Sequence, residues 1–500
     1  MKRALYTLII SLIATLAFAQ SNVLRWDTSD WDTFDPAYTN LQAEAAISVN
    51  MYSGLVRWDE GTVDIVPDLA THWEISEDGS VYTFYLRDDA YFHHGYGNVT
   101  AHDVKFSLDR IINPETASVH YGNYSIIDEV NVLDDYTVEI VLERAYAPFM
   151  LLLVPYKAGS IISEAALNER GSSFGDNPVG SGPFQWESGD PRGDIVMSAF
   201  DDYHGGRPQI DELVFTHISE EAVIHAAFQA GDLDIATVRD ADTLAAYQAD
   251  PSVVVHTNSG TNLNYITMNP SIAPFDDIRV RQAVLHAVDM EGILATVLNG
   301  IGAPLTGPVP TVANFYESDV TRYEYNPEKS RELLAEAGYE NGFSTTLFTY
   351  IGGPAVPVST IVQDQLRQVG INVELRALEI SAWAETTATS NVPMTFMRLT
   401  RSSDPHEFIL PILHSESVPQ SNYSRYNNPR VDELILEGSV ETDDEARAAI
   451  YSELQKTIVD DAVAVWMFSD VVAVVTRPEV QGFVLDPLFN KGSSKVYLDN

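Results

Sequence analysis

Five hundred residues, 45% of them hydrophobic, exceed one ordinary core and predict two to four domains, with no compositional sign of disorder or repeats. Seventy-two acidic residues against 29 basic ones give a net charge of −43, which argues against nucleic acid and anionic lipid as partners. With no cysteine there is neither a disulfide nor an acylated N-terminal Cys, so core burial alone has to hold the fold.

The chain opens with Lys2 and Arg3, an apolar run from Leu5 to Phe18, and Ala17-Phe18-Ala19. This predicts a cleavable signal peptide over residues 1–19, cut before Gln20. The run is shorter than the roughly 20 residues that span a bilayer. A protein exported this way, without a lipid anchor, is expected free in the periplasm and not inserted in the membrane. Loss of Lys2 and Arg3 brings its charge to −45. Such a surface is tolerated where salt screens it within roughly 8 Å, and reads as adaptation to saline surroundings.

VLRWDT near the mature start predicts a strand followed by a polar loop. Residues 81–87 and 136–143 alternate as half-buried strands. Between them residues 100–112 predict a helix, with Thr100 as N-cap and Asp103 completing a capping box. GSGPFQWE (180–187) reads as a turn feeding a strand. Ser219 is expected to cap a helix that Gly231 ends, with LDIATV following as a strand. Residues 279–290 place Val280, Ala283, Val284, Ala287 and Val288 on one stripe of a helix. Asn326-Pro327-Glu328 starts another helix, which Gly338 stops. Residues 359–369 form a helix ended by Gly370, and INVELRAL follows as a strand. Thr442 to Glu445 is a capping box for a helix reaching about Asp460. Val463 to Val475 reads as a buried strand or strand pair. Helices alternating with strands from 219 to 475 predict α/β lobes with mainly parallel sheets.

Several blocks in this order resemble one family. VPDLATHWEISEDGSVYTFYLRDDAYFHHGYGNVTAHDVKFSLDR (66–110), PVGSGPFQW (178–186), PFDDIRVRQAVLHAVDMEGI (274–293), YEYNPEKSRELLAEAGY (323–339) and NYSRYNNPRVDELI (422–435) are similar to the bacterial extracellular solute-binding proteins of family 5, which serve peptide and nickel ABC importers. The match spans nearly all of the mature chain. The resemblance implies an α/β, type II (cluster C) periplasmic binding fold, with two lobes joined by a hinge and an inserted α+β domain. The first lobe is expected from 20–51, 176–265 and 482–500, the inserted domain from 52–175, and the second lobe from 266–481. Crossings near Asn264 and near Val480 would form the hinge. The implied function is capture of a small solute by lobe closure and delivery to an ABC permease and ATPase. The protein is expected to be a monomer without cofactor. The motifs themselves read as structural, Arg279 and Arg281 tying a helix start to acidic neighbours.

In peptide-binding members an Asp four residues before a loop Pro grips the ligand ammonium. Here the Pro is Pro405 and the residue is Arg401. Like charges about 4 Å apart repel by about 4 kcal/mol at an effective dielectric near 20, so Arg401 suits a carboxylate, phosphate or sugar hydroxyl. Asp404-Pro405-His406 resembles the nickel-binding members, but Leu399 and Ser403 stand where those carry aromatic residues. His406 and His414 have the chemistry of metal ligands and read more simply as hydrogen-bonding elements, so no metal site is assigned. Asp404, Trp383, Tyr265, Asn264, Trp31, Tyr38 and Lys157 complete the ligand-facing candidates, mixing aromatic planes with polar groups. Peptide or a related carboxylated compound leads; a nickel chelate or oligosaccharide are alternatives. A hydrolase using Asp201, Asp202, His93 or His94 is the rival class, but no nucleophile elbow, metalloprotease helix or phosphate loop accompanies them.

Overall fold

The computed structural model describes residues 22–399 and 403–499. The predicted signal peptide lies outside the described residues. Two sheets form the frame of the two lobes. In the first lobe seven strands run in the order Val254–Ser259, Val471–Thr476, Ile235–Val238, Val23–Thr28, Glu212–His217, Asp194–Ala199 and Phe184–Gly189. In the second, six run in the order Ala303–Pro304, Ala464–Ser469, Leu263–Met268, Met394–Leu399, Phe343–Tyr350 and Ile371–Leu378. A separate antiparallel sheet of Ala70–Ile75, Val81–Leu86, Thr137–Leu142 and Ile127–Asp134, with the helix Ala101–Ile112 packed against it, forms an α+β unit. This is the α/β fold with an α+β insertion. It departs from the expected mainly parallel sheets: in the seven-stranded sheet only Val23–Thr28 has parallel neighbours on both sides and the other four pairings are antiparallel, and in the six-stranded sheet Leu263–Met268 is antiparallel to both neighbours. That strand enters straight from the other lobe, with no helical crossover to turn it around.

Local signals act where predicted. Thr100 and Asp103 form a reciprocal cap, Asn326 caps the helix Pro327–Glu336, and Gly231 ends Glu221–Ala230 with a φ of 95°. Four boundaries differ. The helix predicted over 359–369 begins a turn earlier and spans Ala355–Gln368. Glu220, not Ser219, occupies the N-cap of Glu221–Ala230. Asp443, not Thr442, caps Asp444–Asp460 by accepting from Ala446 N–H. The stripe over 279–290 is two helices, Ile278–Ala287 and Met290–Val297, because Asp289 caps the second. Arg279 pairs with Asp277 as expected. Arg281 donates to the carbonyls of Asp461 and Phe275 rather than to a carboxylate, with the acids Asp461 and Asp277 near enough to favour its charge.

Glycine is required in GSGP by close approach. A Cβ on Gly180 would lie 2.1 Å from the Met51 carbonyl oxygen, and one on Gly182 would lie 2.6 Å from the Met51 carbonyl carbon. The turn in turn receives His93, whose backbone N–H donates to Gly180 and whose Nε2 meets the Gly182 carbonyl at 3.0 Å. His93 is thus a buried clasp between the inserted unit and the first lobe.

The lobes are joined by two neighbouring chain crossings. One runs through Gly260 to Asn262 and the other through Ser469 and Asp470. The return comes earlier than the expected position near Val480, because Val471–Thr476 already pairs inside the first lobe. The apolar run from Val463 to Val475 is therefore two strands in two different sheets, split at Asp470. Each crossing binds the other: Gly260 N–H donates to the Asp470 carbonyl (2.8 Å), Asp470 N–H to Asn262 Oδ1 (3.0 Å), and Ser469 Oγ–H to the Asn262 carbonyl (2.6 Å).

Candidate functional site

Strand direction places the site. Val23–Thr28, Glu212–His217 and Ile235–Val238 are mutually parallel with Val254–Ser259, which runs into the hinge. Phe343–Tyr350, Ile371–Leu378 and Met394–Leu399 run opposite to Leu263–Met268, which leaves it. The carboxyl ends of both strand sets therefore face the crevice between the lobes, the place where open α/β sheets bind ligands.

On the first-lobe edge, His217 Nε2 meets Asp30 Oδ1 at 2.7 Å, with Ser219 beside it. Arg239 follows the strand Ile235–Val238 directly. Its backbone N–H and that of Asp240 both donate to Glu221 Oε1 at 2.7 Å. Its guanidinium is exposed and has no hydrogen-bonded or ionic partner among the described residues. Its charge reaches Lys491, whose buried ammonium sits 4.9 Å from the centroid of the Trp26 ring. Burial pushes Lys491 down to about 8, with Asp27 opposing and Arg239 reinforcing the shift. Val223 adds an apolar side chain, 52% exposed, in the first turn of Glu221–Ala230, the helix that follows Glu212–His217. On the second-lobe edge Ile351 and Ile380 are 54% and 60% exposed, each just beyond a strand end. Arg398 holds Asp470 at 2.7 Å beside the hinge. The opposed edges thus offer apolar surface with an exposed guanidinium, chemistry that suits a carboxylated solute.

The sequence-predicted residues occupy several places. Arg401 lies outside the described residues. Trp31 is buried against Phe34 and Trp186, ring centroids 5.1 and 5.9 Å away. Tyr38 is exposed; its hydroxyl donates to the Thr116 carbonyl at 2.8 Å and Arg110 stacks on its ring. Lys157 lies in the inserted unit at a φ of 67°, its ammonium 5.5 Å from the Tyr156 ring centroid. Asn264 is buried at the hinge, donating to the Phe468 carbonyl and to Asp470 Oδ1. Tyr265 packs on Trp466, and Trp383 donates from Nε1 to Thr395 Oγ1 while packing between Tyr350 and Tyr423. These two share one core cluster beneath the second-lobe edge. Asp404 caps the helix Pro405–Leu413 and accepts two bonds from Arg447. His406 is buried, near Tyr146 of the inserted unit, and burial pushes it down to about 4 against the pull of Asp404. Among the described residues no three His, Asp or Glu side chains converge on a metal position, and no helix is long and apolar enough to cross a membrane.

Arg239, Ile351 and Ile380 escaped the sequence reading. The signal for Arg239 was available: an Arg-Asp pair immediately after a predicted parallel strand stands at a crevice rim, with the Asp free to cap the next helix.

Comparison with known proteins follows the same outline. The family model described as "Bacterial extracellular solute-binding proteins, family 5 Middle" matches residues 64–420. A dipeptide-binding protein of Escherichia coli (strain K12) is 31% identical over 483 residues, covering 91% of this chain and 90% of that one. HbpA2 from Haemophilus parasuis superposes with a TM-score of 0.90 at 28% identity, covering 96% of this chain and 100% of the other. The periplasmic binding protein DppA from Helicobacter pylori, in complex with the peptide STSA, scores 0.76, also at 28% identity, covering 96% and 98%.

Proposed function

We infer the function from one premise: the chain belongs to the bacterial extracellular solute-binding proteins of family 5. It is the periplasmic, monomeric receptor of an ABC importer. It captures a di- or oligopeptide, or a related carboxylated compound, by closing its two lobes, and passes it on unchanged. It performs no chemistry on the solute. The observation that carries this reading is the opposition of two sets of strand ends across a two-crossing hinge, with Arg239 free at the rim. The similarity to a dipeptide-binding protein supports the ligand class.

Titration with a di- and tripeptide panel tests the proposal. A true ligand at a hundred times its dissociation constant raises stability by about 2.7 kcal/mol and contracts the scattering profile. A guanidinium–carboxylate bond contributes about 1.5–3 kcal/mol, so Arg239→Ala is expected to weaken that ligand by roughly 10- to 100-fold while leaving the melting curve of the free protein unchanged. Appearance of cleaved peptide, or binding with no contraction, would sink the assignment.

A further inference from the structure

One contact between the two halves lies apart from the crossings. The inserted unit is of one piece with the first lobe. They share a continuous apolar core that runs from Trp26 and Phe215 to Tyr82 and Phe149, and Arg110 of the inserted unit holds Asp35 of the first lobe through two bonds of 2.6 Å. The second lobe keeps cores of its own, to which no residue of the inserted unit belongs among the described residues. A rotation of one lobe against the other therefore carries the inserted unit with the first.

Across that moving boundary the inserted unit still reaches the second lobe. The Tyr146 hydroxyl donates to Glu407 Oε1 at 3.4 Å, and its ring stands edge-on to that of His406, centroids 5.7 Å apart at 78°. The short helix Ala147–Leu153 that follows lies against Pro429–Val440. Gly79 abuts Thr442 so closely that a Cβ on it would lie 3.1 Å from Thr442 Cγ2. Tyr146 is anchored on its own side: its carbonyl accepts from Tyr82 Oη at 3.5 Å, and Phe149 packs on the Tyr82 ring with centroids 5.0 Å apart. These contacts are made while the rims stand apart, with Val223, Ile351 and Ile380 each more than half exposed. A hydrogen bond of this length is at the edge of the bonding range, so a displacement of a few tenths of an ångström ends it.

We propose that Tyr146 is a latch on the open arrangement. Its hydroxyl bond to Glu407 and its edge contact with His406 tie the inserted unit to the second lobe, and the second lobe gives them up as it rotates onto the first. The empty receptor is thereby held open, and a solute closes it only by outweighing this tie. The latch rests on the lobe closure inferred above and not on the identity of the solute.

Single-molecule fluorescence transfer on the solute-free protein tests this. The chain has no cysteine, so Leu133→Cys in the inserted unit and Thr360→Cys in the second lobe, both exposed, take the two dyes without competition. Tyr146→Phe keeps the ring and loses the hydroxyl. Its closed fraction is expected to rise roughly 3- to 10-fold over that of the labelled parent, the share that one hydrogen bond contributes. Tyr156→Phe is the control, because that hydroxyl donates to Gln42 Oε1 at 3.0 Å without crossing to the second lobe, and it is expected to leave the fraction unchanged. A closed fraction that stays level or falls in Tyr146→Phe, or rises equally in Tyr156→Phe, would overturn the latch while lobe closure stands. Absence of a second transfer state in every variant, before and after addition of the di- and tripeptide panel, would remove lobe closure and the latch with it.

Discussion

Replacing Arg447 with alanine is expected to cost about 3–5 kcal/mol of folding stability, read as a lower urea midpoint at unchanged slope. Arg447 and Asp404 are 7% and 4% exposed and meet through bonds of 2.7 and 3.0 Å. The guanidinium also lies 5.1 Å from the Phe315 ring centroid and 5.2 Å from that of Tyr451, and it donates to the Gly438 carbonyl. Truncating it strands a buried carboxylate that, among the described residues, keeps one hydrogen bond, from the His406 N–H. The comparison that isolates the cause is the double replacement Asp404→Leu with Arg447→Met. Removing both charges together is expected to recover most of the loss, because the desolvation of two ions disappears with their attraction. A single replacement costing less than about 1 kcal/mol would mean that Asp404 does not depend on Arg447 and is free for a ligand.

Lowering the pH from 6.5 to 4.5 is expected to remove about 5 kcal/mol through two histidines. Burial pushes His93 down to about 3, the Gly182 carbonyl opposing, and His406 down to about 4, Asp404 opposing. The folded values lie below the unfolded one near 6.5. Below 6.5 the unfolded chain binds protons that the native protein refuses, so stability falls. The contribution is complete above 6.5 and is lost as the pH drops through the folded values. At about 1.4 kcal/mol per pH unit and group, two groups over two units give the stated loss. Urea unfolding at pH 7 and pH 4.5 measures it, and His93→Gln with His406→Gln is expected to flatten the difference. An undiminished difference in the double variant would transfer the acid sensitivity to the carboxylates or to His94, His120 and His256, which burial also holds below the usual histidine value.

The parts legible in the sequence were those settled within one turn of chain. Thr100 with Asp103, Asn326 before Pro327, and Gly231 at a positive φ each act on backbone groups a few residues away. The family motifs carried the fold because their glycines meet backbone directly, as Gly180 and Gly182 do at Met51. What stayed hidden depends on distant partners. Nothing near Asp404 announces Arg447, 43 residues on. Asp470 marks a change of sheet inside a run that Ser469 and Asp470 alone interrupt, and strands on either side bury the same residue types. Trp31, Tyr265 and Trp383 have the composition of a solute site, but an aromatic plane serves a core equally well, and these three are buried in cores. The rim residues were hidden for the converse reason: Ile351 and Ile380 look like core until strand direction puts them outside it.

The paired crossings at Gly260–Asn262 and Ser469–Asp470 also decide what kind of motion is open to the molecule. Three bonds lace them into a narrow ribbon, which resists shear and twist but bends across its width. Motion with a single soft axis makes the protein a caliper. The size of whatever lies between the jaws sets one angle, and the far tips magnify it. A membrane complex that first touches those tips would then tell a correct fit from an empty or overfilled gap before the cargo is handed over.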